Sequence, residues 1–261
     1  MRVRIIFENK DKGAAVPFHH QYHLYRLFKG IIKKCNDENM ESFKHYNFSG
    51  LKGQTKVSKN GLHFYSNKIT VVFSCSNKAF LDKIIEQIFS FELLKVRNLP
   101  IKPLSVELES EIHFEEKMEF ICISPIVQLK AEFFDDASKE FIHPCSEQFA
   151  HNLKQNLISR FPQFEPYESA IQFTPDRSYV DRIERNGKKY SRIYPLFDQD
   201  IPYEVRGYTL PFMLEAPVDL QKLVYNNGIG LYCDKGFGML DLANVQPGTE
   251  TVTYFDGQFV N

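Results

Sequence analysis

The chain has 261 residues, a formal net charge of −1 and 43% hydrophobic residues. That length and apolar fraction suffice for one large or two small domains with packed cores. A net charge near zero excludes a uniformly basic nucleic-acid-binding protein, so any RNA contact must come from a local basic surface. The five cysteines are widely spaced and odd in number, and no apolar run approaches the ~20 residues that cross a bilayer. We therefore expect a soluble, cytoplasmic protein without a membrane partner.

Hydrophobic periodicity predicts the elements of the first half. Arg2–Phe7 alternates as a strand, and a helix follows that begins near Pro17. This helix has one apolar face, formed by Leu24, Leu27, Phe28, Ile31 and Cys35. Further along the chain the patterns predict strands at 46–51, 61–65 and 68–75, a helix at 79–89 and a strand at 104–114. This β-α-β-β-α-β order is typical of a ferredoxin-like module.

The second half repeats the same order. The patterns predict a strand at 120–129, a helix at 143–161, a strand at 168–174, a hairpin about Asn186-Gly187, a strand at 203–214, a helix at 218–225 and a strand at 238–243. The predicted fold class is therefore α+β, with tandem ferredoxin-like modules at 1–116 and 117–243. Residues 244–261 are expected to form a polar tail or an added strand.

A glycine-rich stretch, Asn226–Leu242, follows the last predicted helix. Its four glycines are Gly228, Gly230, Gly236 and Gly238, and a short polar-basic insert with Lys235 lies between the two pairs. Glycines let backbone N–H groups approach a ligand, and a loop lined by N–H groups suits anionic oxygens. The order helix, loop, strand does not match a dinucleotide fingerprint or a P-loop. We expect these residues to contact phosphate.

Three motifs resemble one family. Three segments are similar to motifs of the CRISPR-associated protein six family and follow one another in the same order along the chain: Val16-Pro17-Phe18-His19-His20-Gln21-Tyr22, Ile123-Ser124-Pro125-Ile126-Val127 and the glycine-rich loop. This resemblance implies an endoribonuclease that cuts precursor CRISPR RNA within its repeats. It also implies a C-terminal glycine-rich loop that binds RNA.

Basic residues cluster around the predicted hairpin. Arg182, Arg185, Lys188, Lys189 and Arg192 are interleaved with Tyr179 and Tyr190, a pattern that suits phosphates and unstacked bases. A solvated hairpin edge is the other interpretation. The resemblance implies that a hairpin here grips the repeat stem. Arg26 and Lys29 on the first helix are added to the expected RNA contacts.

Metal-free RNA cleavage requires a general base, a cation beside the phosphate and a proton donor to the leaving oxygen. The resemblance implies a histidine after the first helix with a lysine downstream, and the matching residues are His45 and Lys52. His23, His19 and His20 are the alternatives, although His20 continues the apolar face of the first helix. Lys29 occupies the position where some members of the family carry a catalytic tyrosine.

A metal or cofactor is not expected. The tight aspartate pairs, Asp135-Asp136 and Asp198-x-Asp200, are typical of turns, so a metal-dependent nuclease is a weaker alternative. The expected partner is CRISPR repeat RNA, both precursor and processed guide RNA. A protein of the same fold that binds repeat RNA without cutting it, or a structural subunit of an interference complex, remains an alternative. Interference-complex subunits and a second copy of the chain stay open as protein partners.

Overall fold

The computed structural model of the chain describes residues 1–129, 142–198, 201–244, 248–255 and 258–260. The chain forms two compact units. The first comprises Met1–Glu111, Asp234–Gly236 and Pro247–Asn261, and the second comprises Ile112–Cys233 and Phe237–Gln246.

The first unit is built on a β-α-β-β-α-β frame. Its elements up to residue 109 are β1 (Arg2–Asn9), β2 (Ala15–Val16), α1 (Gln21–Lys34), α2 (Glu38–Ser42), β3 (Tyr46–Phe48), β4 (Thr55–Ser58), β5 (Gly61–Phe64), β6 (Lys68–Cys75), α3 (Lys78–Phe89), β7 (Leu94–Val96) and β8 (Leu99–Glu109). The main antiparallel sheet has the order β8-β1-β6-β3, with β7 paired to β8. The first strand of the frame therefore lies between the third and the fourth. The short strands β2, β5 and β4 form a separate sheet.

The predicted apolar face of α1 forms part of the core of the first unit. Leu24, Phe28 and Ile31 are buried. The ring of Phe28 packs 4.8 Å from that of Phe48 and 5.1 Å from that of Phe73, measured between centroids. Burial of each such side chain stabilises the fold by about 1.5–3 kcal/mol, which fixes α1 over β3 and β6.

The second unit repeats the frame. Its elements are β9 (Lys117–Cys122), β10 (Ile126–Val127), α4 (Glu147–Arg160), β11 (Gln172–Pro175), α5 (Arg177–Arg185), β12 (Ser191–Asp198), β13 (Ile201–Tyr208), β14 (Phe212–Glu215), α6 (Val218–Asn227) and β15 (Leu240–Leu242). A 3-10 helix at Pro162–Ala170 follows α4, and a 3-10 turn lies at Cys233–Lys235. The antiparallel sheet has the order β11-β14-β9-β15, and β10, β13 and β12 form a second sheet.

The predicted hairpin about Asn186-Gly187 is wrong. Residues 177–185 form helix α5, which Asp176 caps by accepting a hydrogen bond from the backbone N–H of Tyr179. Asn186 and Gly187 end this helix, with Gly187 at φ +62°. The N–H of Lys188 donates to the carbonyl of Ile183, and that of Gly187 donates to Glu184, which is the Schellman pattern. Asn-Gly therefore serves as a helix C-cap, and the hairpin of this region is β12–β13.

The segment predicted as a tail or an added strand is an added strand. β16 (Thr249–Phe255) pairs antiparallel with β8, and β17 (Gln258–Val260) pairs with β16. The longest helices in the described ranges, α1 and α4, have 14 residues each. No helix among the described residues combines the length and apolarity that a membrane crossing needs.

Candidate functional site

His45 lies in the first unit, directly before β3, and is half-buried. Its ring contacts the edge of Phe43 at 5.7 Å between centroids. The neighbouring Lys44 ammonium lies 3.8 Å from a carboxylate oxygen of Asp234. The residue before His45 in the chain is therefore tied to Asp234, at the start of a buried strand. Histidine is the side chain whose ordinary pKa allows proton uptake near neutral pH.

Segment Asp234–Gly236 packs against α1 and β3 in this unit. The side-chain amide of Gln21 donates a 2.7 Å hydrogen bond to the carbonyl of Gly236. Gly236 has φ +85°, and a Cβ at this position would collide with the ring of Phe48. Only glycine allows the segment to lie this close to the strand.

Two lysines meet at one tyrosine on α1. The ammonium of Lys235 lies 5.8 Å from the ring centroid of Tyr25, and the ammonium of Lys29 lies 5.7 Å from it. Both distances lie within the range of cation–π attraction. The predicted RNA contacts Lys29 and Lys235 are thus brought together, and Tyr25 holds them there. Tyr25 precedes the expected tyrosine position by one helical turn.

The structure separates Lys52 from His45. Tyr46, the residue after His45, pairs with Cys75, whereas Lys52 forms an isolated bridge with Thr70. The two pairs lie five residues apart along β6, which corresponds to about 17 Å at ~3.4 Å per residue. Lys52 is exposed, but at the far end of this extended segment. The prediction that Lys52 is the electrostatic partner of His45 is therefore wrong.

His20 has a structural environment. It is 8% exposed, its Nε2 accepts a 3.0 Å hydrogen bond from the N–H of Leu51, and its Nδ1 lies 3.3 Å from the carbonyl of Pro17. Burial lowers the pKa of His20 to about 4. A neutral ring with Nδ1–H as donor satisfies both contacts. His20 thus joins the start of α1 to the segment that follows β3.

The other two alternative histidines lie near the start of α1. His19 and His23 are both half-buried. Burial is the main cause that lowers the pKa of His23, and the charges of Arg97 and Arg26 lower it further. The predicted RNA contact Arg26 is exposed on this helix.

The glycines of the second unit serve chain packing. Gly228, Gly230 and Gly238 are buried, with φ values of +80°, +83° and +67°. A Cβ on Gly230 would lie 2.8 Å from the carbonyl oxygen of Val127, and one on Gly238 would collide with the carbonyl of Ile229. These glycines are required where two backbones cross. The expectation that Gly228, Gly230, Gly236 and Gly238 line a phosphate cradle is therefore not supported.

Backbone donors of this loop are used inside the second unit. The N–H of Gly238 donates to the carbonyl of Pro125 at 2.7 Å, and that of Met239 donates to the Ser124 hydroxyl at 2.7 Å. The Ser-Pro motif and the glycine-rich motif thus form one bonded structure. Arg160, at the end of α4, adds a clamp. Its guanidinium donates to the carbonyls of Asn227 and Gly228 at 3.0 Å each and to the Cys233 sulfur at 3.2 Å.

The basic residues expected on a hairpin lie on and after α5. Val180 is the buried residue of this helix, and Arg182 and Arg185 are exposed. The guanidinium of Arg182 lies 5.6 Å from the ring centroid of Tyr179. Lys188, Lys189 and Arg192 follow the helix and are also exposed. The predicted cations are therefore exposed on a helix and on the segment that follows it, instead of on one hairpin.

A polar network adjoins α5 that the sequence did not indicate. The Tyr190 hydroxyl donates to a Glu184 carboxylate oxygen at 2.8 Å and lies 2.8 Å from Nε2 of His143. Burial and the Glu184 carboxylate raise the pKa of Tyr190. The hydroxyl therefore stays protonated.

The sequence also missed Tyr25, Lys44 and Asp234 as members of the His45 site. The helical spacing of Tyr25 and Lys29 was a usable signal, whereas Asp234 is brought there from 190 positions away. Among the described residues, no three His, Cys, Asp or Glu side chains are grouped so that they could hold a metal ion. Asp135, Asp136 and Asp200 lie outside the described residues, and the side chain of Asp198 is not described.

Comparison with known proteins identifies the family. A family model described as the C-terminal part of the CRISPR associated protein Cas6 matches residues 107–242, which is more than half of the chain. The chain belongs to the Cas6 family. It thus belongs to proteins involved in CRISPR repeat RNA processing, as the sequence motifs indicated.

Relatives of Cas6 type span the full chain. A CRISPR-associated endoribonuclease-like protein Cas6 of Pyrococcus furiosus is 23% identical and covers 94% of this chain and 100% of its own length. A solved structure described as CRISPR associated protein Cas6 is 22% identical, with a TM-score of 0.70, and covers 94% of this chain and 99% of its own. A solved structure of a RAMP protein that binds different RNA substrates is 18% identical, with a TM-score of 0.72, and covers 94% and 100% of the two chains. The predicted fold class, tandem ferredoxin-like modules, is confirmed.

Proposed function

We propose that this Cas6 family member is a metal-independent endoribonuclease that binds CRISPR precursor RNA and cleaves it within the repeats. The observation that carries the proposal is the His45 site, where Lys44, the residue before His45, pairs with Asp234. The nearby pair of ammoniums at Tyr25 supports it. Solved structures of this fold are described as Cas6 product complexes, with TM-scores of 0.53 and 0.57. The first unit carries the chemistry in this proposal, and the basic surface on and after α5 in the second unit carries RNA binding.

The proposed reaction is a 2′-hydroxyl attack. His45 accepts the proton of the ribose 2′-hydroxyl, and the 2′-oxygen forms a bond to the adjacent phosphorus. The bond from phosphorus to the 5′-oxygen breaks, and that oxygen receives a proton. The products are a 2′,3′-cyclic phosphate and a 5′-hydroxyl. No step of this proposed reaction uses a metal ion.

Tyr25 is the proposed proton donor. Its ring carries a hydroxyl group and lies 5.7 Å and 5.8 Å from two ammoniums, measured to the ring centroid. The same ammoniums, those of Lys29 and Lys235, offset the negative charge that builds up on the phosphate oxygens. This arrangement supplies the cation that Lys52 was expected to supply.

The test is single-turnover cleavage of labelled repeat RNA in EDTA. Wild-type protein should yield a 2′,3′-cyclic product. His45→Ala should lower the rate by about 10²–10⁴, while its RNA affinity stays within a few-fold of wild type. Tyr25→Phe keeps the ring between the lysines, so it should lower the rate and leave affinity unchanged. Two controls should cleave normally: His151→Ala, which removes an exposed histidine on α4, and Lys52→Ala.

One specific observation favours a second candidate function. The separation of Lys52 from His45 leaves the site without the lysine that the family resemblance implied. A repeat-RNA-binding protein without cleavage activity accounts for that difference. A mobility shift of repeat RNA without any product in EDTA or in Mg²⁺ would establish the binding function and overturn the nuclease. Self-association and contact with interference-complex subunits stay predictions, and sedimentation with and without repeat RNA measures the first.

A further inference from the structure

A histidine and two arginines form a second group of nitrogen-rich side chains at α1: His23, Arg26 and Arg97, which we call the His23 cluster. Successive helical residues are rotated by about 100°, so around the helix axis His23 lies about 200° from Tyr25 and Arg26 lies about 100° from it. His23 is half-buried, whereas Arg26 and Arg97 are exposed. The His23 ring therefore faces away from Tyr25.

Two elements of the first unit build the cluster. Strand β7 packs against α1, and the turn that joins β7 to β8 consists of Arg97 and Asn98, since Val96 pairs with Leu99. Arg97 thus lies at the end of a hairpin whose strand β7 packs against α1. Burial lowers the pKa of His23, and the charges of Arg97 and Arg26 lower it further.

An aromatic ring adjoins the His23 cluster on α1. The Tyr22 ring lies 5.6 Å from that of His23 between centroids, and the Arg26 guanidinium carbon lies 5.9 Å from the Tyr22 centroid. A half-buried ring beside His23 and Arg26 offers a face on which a base can stack.

Arg97 occupies a backbone conformation that suits glycine. Its φ is +57°, in the left-handed region, which is unfavourable for a residue with a Cβ. Short hairpin turns with a positive φ usually hold Gly, Asn or Asp at that position. The charges that act on His23 are both positive, so bringing them together adds repulsion to this strain. Strained residues with unfavourable electrostatics are typical of ligand-binding sites, where a bound anion offsets both costs.

We propose that His23, Arg26 and Arg97 bind a backbone phosphate of single-stranded RNA, at a site separate from the His45 site. This proposal rests on the proposed function, because it extends the RNA path across the other flank of α1. The two guanidinium groups supply paired N–H donors that match phosphate oxygens, and the His23 ring supplies a further N–H. The Tyr22 face receives the base next to that phosphate.

The variant Arg97→Gly tests the site without threatening the fold, because glycine adopts φ +57° without strain. Affinity for labelled repeat RNA is measured by fluorescence anisotropy over a range of KCl concentrations, in a His45→Ala background that prevents cleavage. We expect about 3–10-fold weaker binding near physiological salt, and a log–log salt slope that is smaller by about 0.7, the value for one phosphate contact on a single strand. The matched control is Lys95→Ala, which removes an exposed cation from β7 of the same hairpin and should change affinity by less than about twofold.

A second measurement separates this site from the proposed function. Inorganic phosphate is titrated while the His23 ring resonance is followed by NMR. A saturable shift in wild type that is lost in Arg97→Gly supports the site. No shift, or RNA binding by Arg97→Gly with the wild-type affinity and slope, overturns the site and leaves the proposed function intact. A third outcome is that phosphate shifts the His23 resonance but the wild-type protein binds no repeat RNA. That outcome overturns both the proposed function and RNA as the ligand of the cluster, and it leaves only a site for an anion.

Discussion

Arg160→Ala should destabilise the second unit more than any ordinary surface substitution does. The guanidinium joins the end of α4 to the end of α6 through the carbonyls of Asn227 and Gly228, and to the loop through Cys233. It also lies over the ring of Phe161 at 5.2 Å from the centroid. Removal leaves buried carbonyl oxygens without this charged donor.

The expected magnitude follows from these contacts. A hydrogen bond to a charged group stabilises a protein by about 1.5–3 kcal/mol, and an unsatisfied buried acceptor costs about 1–3 kcal/mol. The Arg160 side chain is only half-buried, so water replaces part of the lost bonding. We therefore expect a loss of about 2–4 kcal/mol in the free energy of unfolding of this unit. For a unit of this size that corresponds to a Tm lower by about 6–15 °C.

The assay combines thermal unfolding with amide hydrogen exchange over residues 227–239. Arg160→Ala should lower Tm and speed exchange in that segment, and Arg160→Lys should fall between the two proteins because one ammonium cannot satisfy all three acceptors. Lys154→Ala on the same helix is the matched control, since it removes only a 3.7 Å surface ion pair with Glu168 and should change stability by less than ~1 kcal/mol. Wild-type exchange and a Tm within 2 °C (on the order of 0.5 kcal/mol) for Arg160→Ala would refute the clamp.

Two further outcomes are expected. The pKa of His20 is about 4 in the folded protein and about 6.5 in the unfolded chain. The contribution of His20 to the free energy of unfolding is therefore complete above pH ~6.5. It is lost as the pH falls towards 4, at up to about 1.4 kcal/mol per pH unit. Urea unfolding at a series of pH values should show this loss in wild type and a flatter profile in His20→Gln, and parallel profiles would contradict it. Replacing Arg182, Arg185, Lys188 and Lys189 by alanine should weaken repeat-RNA binding and reduce its salt slope, by about 0.7 per lost phosphate contact, and an unchanged slope would show that this surface faces only solvent.

Elements with a strong local pattern were predictable from the sequence. The 3.6-residue spacing of Leu24, Phe28 and Ile31 gave α1, and the same spacing gave α3 and α4, because an amphipathic helix records its buried face in its sequence. The same order of strands and helices in the two halves of the chain then indicated tandem ferredoxin-like modules.

Helix α5 shows how one strong signal can mislead. Asn186-Gly187 was interpreted as a hairpin turn, although Asp176 at the N-cap, with Val180 and Ile183 at helical spacing, indicated a helix. Both interpretations use the positive φ of glycine. What decides between them is whether the preceding residues bury a helical face or pair as a strand. Here Val180 is buried and the helix forms.

The His45 site was only partly predictable because its parts come from distant segments. His45 itself was predicted from its position after α1, where the family resemblance implies a histidine. Lys52 follows it closely in sequence, yet an extended strand separates residues more than any other structure does, so a short sequence interval became a distance of about 17 Å. Asp234 and Lys235 reach the site because the chain returns to the first unit for three residues. The spacing of residues in the sequence does not predict that the chain returns to the first unit.

The glycines of the glycine-rich motif support the fold through their backbone conformation. In the proposed function, Asp234 and Lys235, which lie between the glycines, contribute to the His45 site. Gly236 lets the segment lie against Phe48, and its carbonyl is held by Gln21, so the side chains of Asp234 and Lys235 are carried to α1 and β3. In the second unit, Gly238 likewise allows close backbone packing, in this case against Ile229. A bulky residue at Gly236 would displace this segment, and with it the ammonium at Tyr25. Gly236 therefore acts on the proposed chemistry by positioning Lys235, so a substitution there should disturb the structure of the segment first and RNA contact as a consequence.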